Sequence, residues 1–508
     1  MTLASPVLPR LAAASLAALP VAVEKPRYDR AAVTTGIVHL GIGAFHRAHQ
    51  AVYTDDVLAT GDTRWGIVGA SLRSPDTRDA LNPQGGLYTL AVRGNEGERL
   101  RLVGAIRDVL VAPESPQALL DALCRPSVAI VSLTVTEKGY CHDPATGALD
   151  ERHPDIVHDL ARPDAPRSAI GFLVRAVARR RELGLKPFTV LSCDNLPSNG
   201  RTLHRILSRY AALVSPELGT FVAGEIACPD TMVDRIVPAT TDEDRARIAA
   251  ALGAADAWPV VTEPFTQWVI EDRFASGRPA WEAAGATLVA DVAPYETMKL
   301  RLLNGSHSAL AYLGYLAGRE TVAAAMDEPG IAAFVAALMD DTAPTLALPP
   351  GADVEGYKRS LVARFRNAAL RHRTWQIAMD GSQKLPQRLL ATIRDRLAKG
   401  LPVERHALGV AAWMRYVTGV DEQGRPIDLR DPLAADLAAA AREAGPVAER
   451  LAPALLGIKS IFGEDLPADA RLRAAIVGAL AALYRQGAAA TAAAYARGAG
   501  GAMGEATI

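Results

Sequence analysis

Lys299, Asn304 and His307 give the most chemically suggestive spacing in the sequence, within Lys299-Leu-Arg-Leu-Leu-Asn304-Gly-Ser-His307. On an α-helix these positions fall within a sector of roughly 140°, so one face would carry an amine, an amide and an imidazole. Leucines at 300, 302 and 303 make part of that surface apolar. Desolvation lowers an ammonium pKa toward neutrality, which a general base for alcohol oxidation requires. An amide can hold an alcohol or a developing alkoxide, and an imidazole can orient a neighbouring hydroxyl. The same spacing also suits a snorkelling lysine, a helix-breaking Asn-Gly and a core histidine, so spacing alone leaves both readings open.

A second polar cluster, Ser192-Cys-Asp194-Asn195-Leu-Pro197, follows an apolar β-type run. Asn195 is either a second amide for the reacting oxygen or an Asx turn before Pro197. Nearer the N-terminus, Gly41-Ile42-Gly43-Ala44-Phe45-His46 has the form of a pyrophosphate-binding turn. The first glycine permits a tight turn and the second lets backbone approach a phosphate at a helix start. His46 stands where the third glycine of that fingerprint is expected. The acidic residue expected for the ribose hydroxyls is also missing, because the chain there reads Ala70-Ser-Leu-Arg73-Ser-Pro-Asp76. Arg73 can stack on adenine, meet a 2′-phosphate or sit solvated in a loop, which leaves NAD versus NADP open.

The elements that must position these residues are legible in outline. Residues 36–40, 65–70, 128–135 and 188–192 are apolar strand-like runs alternating with helical patterns, the first helix predicted from Phe45 to Leu58. Such alternation implies a parallel, doubly wound α/β sheet with ligands beyond the carboxyl ends of the strands. From about Pro294 the sequence is rich in Ala, Leu and Arg at helical spacing, broken at Pro329, Pro349-Pro350, Pro402 and Pro467. A chain of 508 residues exceeds one ordinary core, and we place a dinucleotide-binding domain at 1–286 and a mainly helical substrate domain at 287–508. The Gly/Ala-rich end from 498 to 508 is expected to fray.

Net charge is −1, so no long-range field favours nucleic acid or an anionic membrane, and an anionic substrate must be met by local cations. The four cysteines form no CxxC pair, which argues against a disulfide framework or structural zinc and suits a reducing cytoplasm. His46 and His49 lack a carboxylate on their helix, and we assign no metal. Residues 11–23 resemble a short signal segment after Arg10, but Pro20 interrupts them and no cleavage pattern follows, so a surface-packed helix is expected. No later run is long and apolar enough for a membrane span. The expected location is cytoplasmic, and nothing in these patterns fixes an oligomeric state; a monomer is compatible with them.

Several segments together resemble the polyol-specific long-chain dehydrogenase family: residues 41–49, Ser132-Leu-Thr134-Val-Thr136-Glu137-Lys-Gly-Tyr140, residues 192–195, Thr231-Met-Val-Asp234-Arg-Ile236 and residues 299–307. The resemblance implies an N-terminal Rossmann-type domain, a helical C-terminal domain and a metal-free active site between them. It implies Lys299 as general acid/base, Asn195 and Asn304 on the reacting oxygen, His307 supporting substrate, Glu296 relaying the lysine's proton and Asp234 on substrate hydroxyls. Gly41, Ile42, Gly43, Ala44, Phe45, Arg73, Thr134, Thr136 and Glu137 become candidate cofactor contacts, with NAD the family default.

Residues 371–388 look like the mannonate branch of that family, as do Glu137-Lys-Gly-Tyr-Cys141, residues 267–272 and residues 411–416. Mannitol dehydrogenases tend to carry an arginine eight residues before the lysine of this segment, where this chain has Gln376. The expected reaction is D-mannonate/D-fructuronate interconversion, with mannitol/fructose or another uronate as the alternative. His372, Arg373 and Lys384 are the candidate groups for a sugar acid. A non-catalytic nucleotide-sensing module would keep the glycine turn but has no use for the Lys/Asn/His set.

Overall fold

The computed structural model describes residues 8–143, 146–348 and 351–498. It contains eleven strands among these residues: β1 Thr35–Leu40, β2 Gly66–Ser71, β3 Tyr88–Gly94, β4 Gly97–Val103, β5 Ile106–Val111, β6 Ile130–Leu133, β7 Thr189–Ser192, β8 Thr231–Asp234, β9 Val260–Thr262, β10 Gln267–Glu271 and β11 Thr287–Val289. The central sheet has the order β5-β2-β1-β6-β7, and every pairing in it is parallel. Its strands are apolar on both faces. Val38, Val68, Val131 and Val190 face one core, while Ile37, Ile67, Ile130 and Leu191 face the other. Burial on both faces explains why these strands read as continuous apolar runs rather than alternating ones. The expected strands are present, but the first two and the last two residues of the predicted 128–135 run lie outside β6.

One feature departs from the sequence reading. The helix expected from Phe45 to Leu58 is two helices, Ala44–Ala48 and Gln50–Ala59, parted at His49, whose φ of −126° and ψ of −92° are not helical. The chain divides into compact units at Ala293/Pro294, close to the expected boundary after 286. Strand β11 pairs in parallel with β10 and so extends the first unit's second sheet. The N-terminal segment forms a 3₁₀ turn, Ala13–Ala18, with Leu11, Leu19 and Val23 buried and Leu11 N donating to Ala255 O at 2.9 Å. It is packed on the first unit as expected, though shorter than a full helix.

The second unit is helical, as its Ala/Leu spacing predicts. Its central helix, Ser306–Leu316, is buried at every residue but Tyr315, which requires apolar or satisfied side chains all round. Pro329 opens the helix Pro329–Thr342 rather than breaking one, consistent with proline's tolerance at the first helical position. Among the described residues no helix is long and apolar enough to cross a membrane. Pro349, Pro350 and residues 499–508 lie outside the described residues.

Candidate active site

At the end of β1 the chain turns sharply through Gly41, whose φ is +89°. A Cβ there would lie 2.1 Å from the carbonyl oxygen of Thr134, so only glycine fits. Thr134 Oγ1 donates to Gly41 O at 2.7 Å and joins the loops after β1 and β6. By contrast, a Cβ on Gly43 would meet nothing nearer than 3.8 Å, which leaves backbone accessible on that side. Gly41, Ile42, Gly43, Arg73, Thr134 and Thr136 all line one cleft of about 1230 Å³ at the carboxyl ends of the strands. Here the strand order reverses between β1 and its two neighbours, the expected ligand position in such a sheet.

The cleft suits a dinucleotide, with one revision. The helix after Gly43 is only five residues long, so its dipole contributes less than a long helix would. Cationic side chains of Arg73, Lys138 and Arg167 on the same walls supply the positive charge that a pyrophosphate needs. Ala44, Phe45 and Glu137 are not on the cleft lining; Phe45 stacks on His49 at 5.1 Å, and Glu137 is exposed. His46, in place of the third glycine, is buried with its ring stacked 3.4 Å from that of His39. At the end of β2 the turn is closed by Ser71 Oγ donating to Ser74 O at 2.6 Å, and Arg73 is exposed on the cleft wall.

Asn195 lies three residues beyond the end of β7 and is exposed. Its neighbour Asp194 fixes that loop. One Asp194 carboxylate oxygen accepts from Val135 N at 2.9 Å and Tyr140 OH at 2.7 Å, and the other accepts from Thr136 N at 3.0 Å. This ties the loop carrying Asn195 to the cleft loop after β6, where Thr136 is held at φ +65°. The sequence reading passed over Asp194, although an acid beside the amide at a strand end is a visible signal. Asp234 closes β8 and is buried, opposite Gln267 in the antiparallel register with β10.

One group of metal-ligating types is also found on the cleft wall: Cys141, His153 and Asp155 have ligand atoms within 4.8 Å of one another. A helix cap accounts for the histidine, since His153 Nδ1 accepts from Asp155 N at 3.2 Å at the start of Pro154–Ala161. Burial, then the carboxylates of Asp155, Asp159 and Asp150, push the Cys141 thiol up to about 12, so at neutral pH it keeps its proton.

In the second unit, Lys299 to Gly305 form a π-helical turn between Ala293–Met298 and Ser306–Leu316. The single α-helical face expected from sequence is therefore not the geometry found. Hydrogen bonding from i to i+5 brings residues five apart, Lys299 and Asn304, into register, where a regular α-helix would set them roughly 140° apart. Lys299 is buried, at 5 % exposure, and Glu296 lies one turn before it. Asn304 Oδ1 and His307 Nε2 are buried without a hydrogen-bond partner in the protein. Groups of that kind are rare in a settled core and mark places where a ligand can complete the bonding.

His307 stacks on Phe365 at 5.1 Å and meets the His372 ring edge-on at 5.1 Å. Burial first, then the neighbouring His372 ring and the positive charges of Arg388, Arg364 and Lys384, hold its imidazole well below its ordinary pKa. The structure thus brings His372 and Lys384 to His307 but leaves Arg373 apart. Arg373 is exposed at the start of Thr374–Ala378, its backbone bridged to Thr321. Ser308, Arg364 and Arg388, which sequence reading did not select, join this set.

A family model of the mannitol dehydrogenase Rossmann domain matches residues 35–283, and one of the mannitol dehydrogenase C-terminal domain matches residues 291–484. D-mannonate oxidoreductase of Escherichia coli is 50 % identical over 476 residues, covering 92 % of this chain and 96 % of its own. The uncharacterised oxidoreductase YeiQ of the same organism is 51 % identical over 454 residues, covering 88 % and 92 %. The ternary complex of Pseudomonas fluorescens mannitol 2-dehydrogenase with NAD and D-mannitol superposes with a TM-score of 0.88 at 42 % identity, over 96 % of this chain and 99 % of that one. The chain is an oxidoreductase belonging to the mannitol dehydrogenase family.

Proposed function

We propose that this enzyme interconverts D-mannonate and D-fructuronate with NAD(H), reducing the ketone of the uronate to a secondary alcohol. The observation that carries the choice of a sugar acid over a polyol is the set of cations around His307 (Arg364, Arg388 and Lys384), whose charge a carboxylate complements. The half-identical relative named for D-mannonate supports the same substrate, and the absence of an arginine at Gln376 argues against mannitol. When bound, the nicotinamide supplies or accepts the hydride. Lys299 gives the proton to, or takes it from, the reacting oxygen, and Glu296 passes that proton on. Asn195 and Asn304 hold the oxygen by their amides, His307 and Asp234 orient substrate hydroxyls, the neutral His372 ring offers a hydrogen bond, and Lys384 adds positive charge at the acid end.

A panel of hexuronates, ketoses and polyols assayed with NADH and NADPH tests this reading. Fructuronate with NADH is expected to give the highest kcat/KM. Faster turnover of fructose or mannitol would move the assignment to a polyol dehydrogenase, and nicotinamide binding without turnover of any of them would favour a sensing module.

The cofactor's second phosphate gives a separate prediction. In the turn after β2 the Asp76 carboxylate is engaged by Ser74 Oγ at 2.8 Å, while Arg73 lines the cleft. Arg73→Ala is expected to weaken NADPH by about 1.5–3 kcal/mol, the scale of a charged hydrogen bond, and NADH by much less. Fluorescence titration of both reduced cofactors reads the difference; equal weakening would make Arg73 an adenine-stacking or loop residue instead.

A further inference from the structure

The cations near His307 are held in different ways. Lys384 Nζ donates to the carbonyl oxygens of Ile377 and Met379, which turns its ammonium toward backbone. Arg373 is exposed and does not figure among the charges acting on His307. Arg364 is buried at 7 % exposure on the helix Val354–Phe365. Arg388 lies on a second π-helical turn, Pro386–Leu390, and its Nη1 donates to Ser308 Oγ at 3.0 Å. Ser308 is next to His307 and four residues from Asn304, so this bond anchors the guanidinium beside both.

The backbone fixes that position independently. A Cβ on Gly305 would come within 2.6 Å of the Arg388 carbonyl oxygen, so the turn bearing Arg388 abuts the turn bearing Lys299 and Asn304. Close to it, Asn304 Oδ1, His307 Nε2 and His372 Nδ1 are buried polar atoms whose partners the protein does not supply. An oxygen-rich ligand with hydroxyl donors and a negative group would satisfy them together.

We propose that Arg388, anchored by Ser308 and flanked by Arg364, receives the carboxylate of a hexuronate and so sets selectivity for a sugar acid over an uncharged ketose. The proposal rests on the uronate reading given above. A guanidinium suits the role because its planar donors bond both carboxylate oxygens at once, while Lys384 offers a point charge already engaged by carbonyls.

The test compares wild type, Arg388→Ala and Arg388→Lys on fructuronate and on fructose, with NADH. A wild-type preference for fructose would overturn the uronate reading itself, and this proposal with it. Where wild type prefers fructuronate, Arg388→Ala is expected to lower the fructuronate-to-fructose ratio of kcat/KM by about 10- to 150-fold, the scale of one charged hydrogen-bonded contact. Guanidinium ion added to the Arg388→Ala assay should restore part of the fructuronate rate, a response that a packing defect does not give. Arg388→Lys keeps a cation at the site and should fall between the two, providing a folded variant if the alanine proves unstable. Equal losses on both substrates with no guanidinium rescue, or a Lys variant as selective as wild type, would overturn the role of Arg388 and leave the uronate reading standing.

Discussion

Lys299→Ala is expected to lose at least about 10²-fold in turnover while binding NADH nearly as well as wild type, the usual cost of removing a general acid/base. Lys299 is buried, on a π-helical turn, with Glu296 one turn before it and Asn304 five residues after it. A lysine placed there for packing alone would have no need of a turn that aligns it with an amide whose oxygen is buried and unsatisfied. The pH–rate profile supplies a second reading. Its limb belonging to the acid/base group should disappear in Lys299→Ala, because no ionisation then switches the proton transfer on or off. Thermal unfolding should shift little, so that the lost turnover is read on folded enzyme. Near-normal turnover at the pH optimum would remove Lys299 from the mechanism, and a large fall in stability would assign it a structural role.

The parts of this architecture fixed by backbone geometry could be read from sequence, and the parts fixed by distant side chains could not. Gly41 was recognisable because a φ of +89° and a close approach to Thr134 admit glycine only. Lys299, Asn304 and His307 were selected by type, but on the wrong helical geometry, since one inserted π-turn changes which side chains align without altering composition. The short strand β11 is three residues long and gains its identity from pairing with β10, which composition alone does not show. The hairpin of β3 and β4 was passed over, although Asn95-Glu-Gly97 between two alternating runs is a turn signal. For the carboxylate, Arg373 and Arg388 were equally visible in one segment. What separates them is a hydrogen bond from Arg388 to Ser308, eighty residues away, and no local pattern encodes it.

Stability is expected to fall steeply as pH drops from about 6.5 toward 4, because both units bury neutral histidines. Burial lowers His39 to about 3, His406 to about 3 and His372 to about 4, and holds His46 and His307 well below the ordinary value of 6.5. Neighbouring positive charge adds to this: His39 presses on His46, while Arg396, Arg405 and Arg301 act on His406. Each folded pKa lies below the unfolded one, so the unfolded chain binds the proton first. The contribution of each ring is then complete above about pH 6.5 and is lost on the way down to its folded pKa. One such ring costs up to about 1.4 kcal/mol per pH unit. Five acting together would approach roughly 7 kcal/mol per unit, against a typical total of about 5–15 kcal/mol. Burial also raises the carboxyls of Asp55, Asp194 and Asp230, which take up protons in the fold before they do in the unfolded chain and return part of the loss near the acid end. Melting temperature measured from pH 8 to pH 4.5 should therefore be level above neutrality and drop sharply below about 6. His46→Phe keeps a ring against His39 but cannot titrate, so its curve should be shallower than wild type's by one proton's worth, about 1.4 kcal/mol per unit. A melting temperature unchanged between pH 6.5 and 4.5 would mean that these rings accept protons inside the fold, and the neutral, desolvated surroundings assigned to them would be wrong.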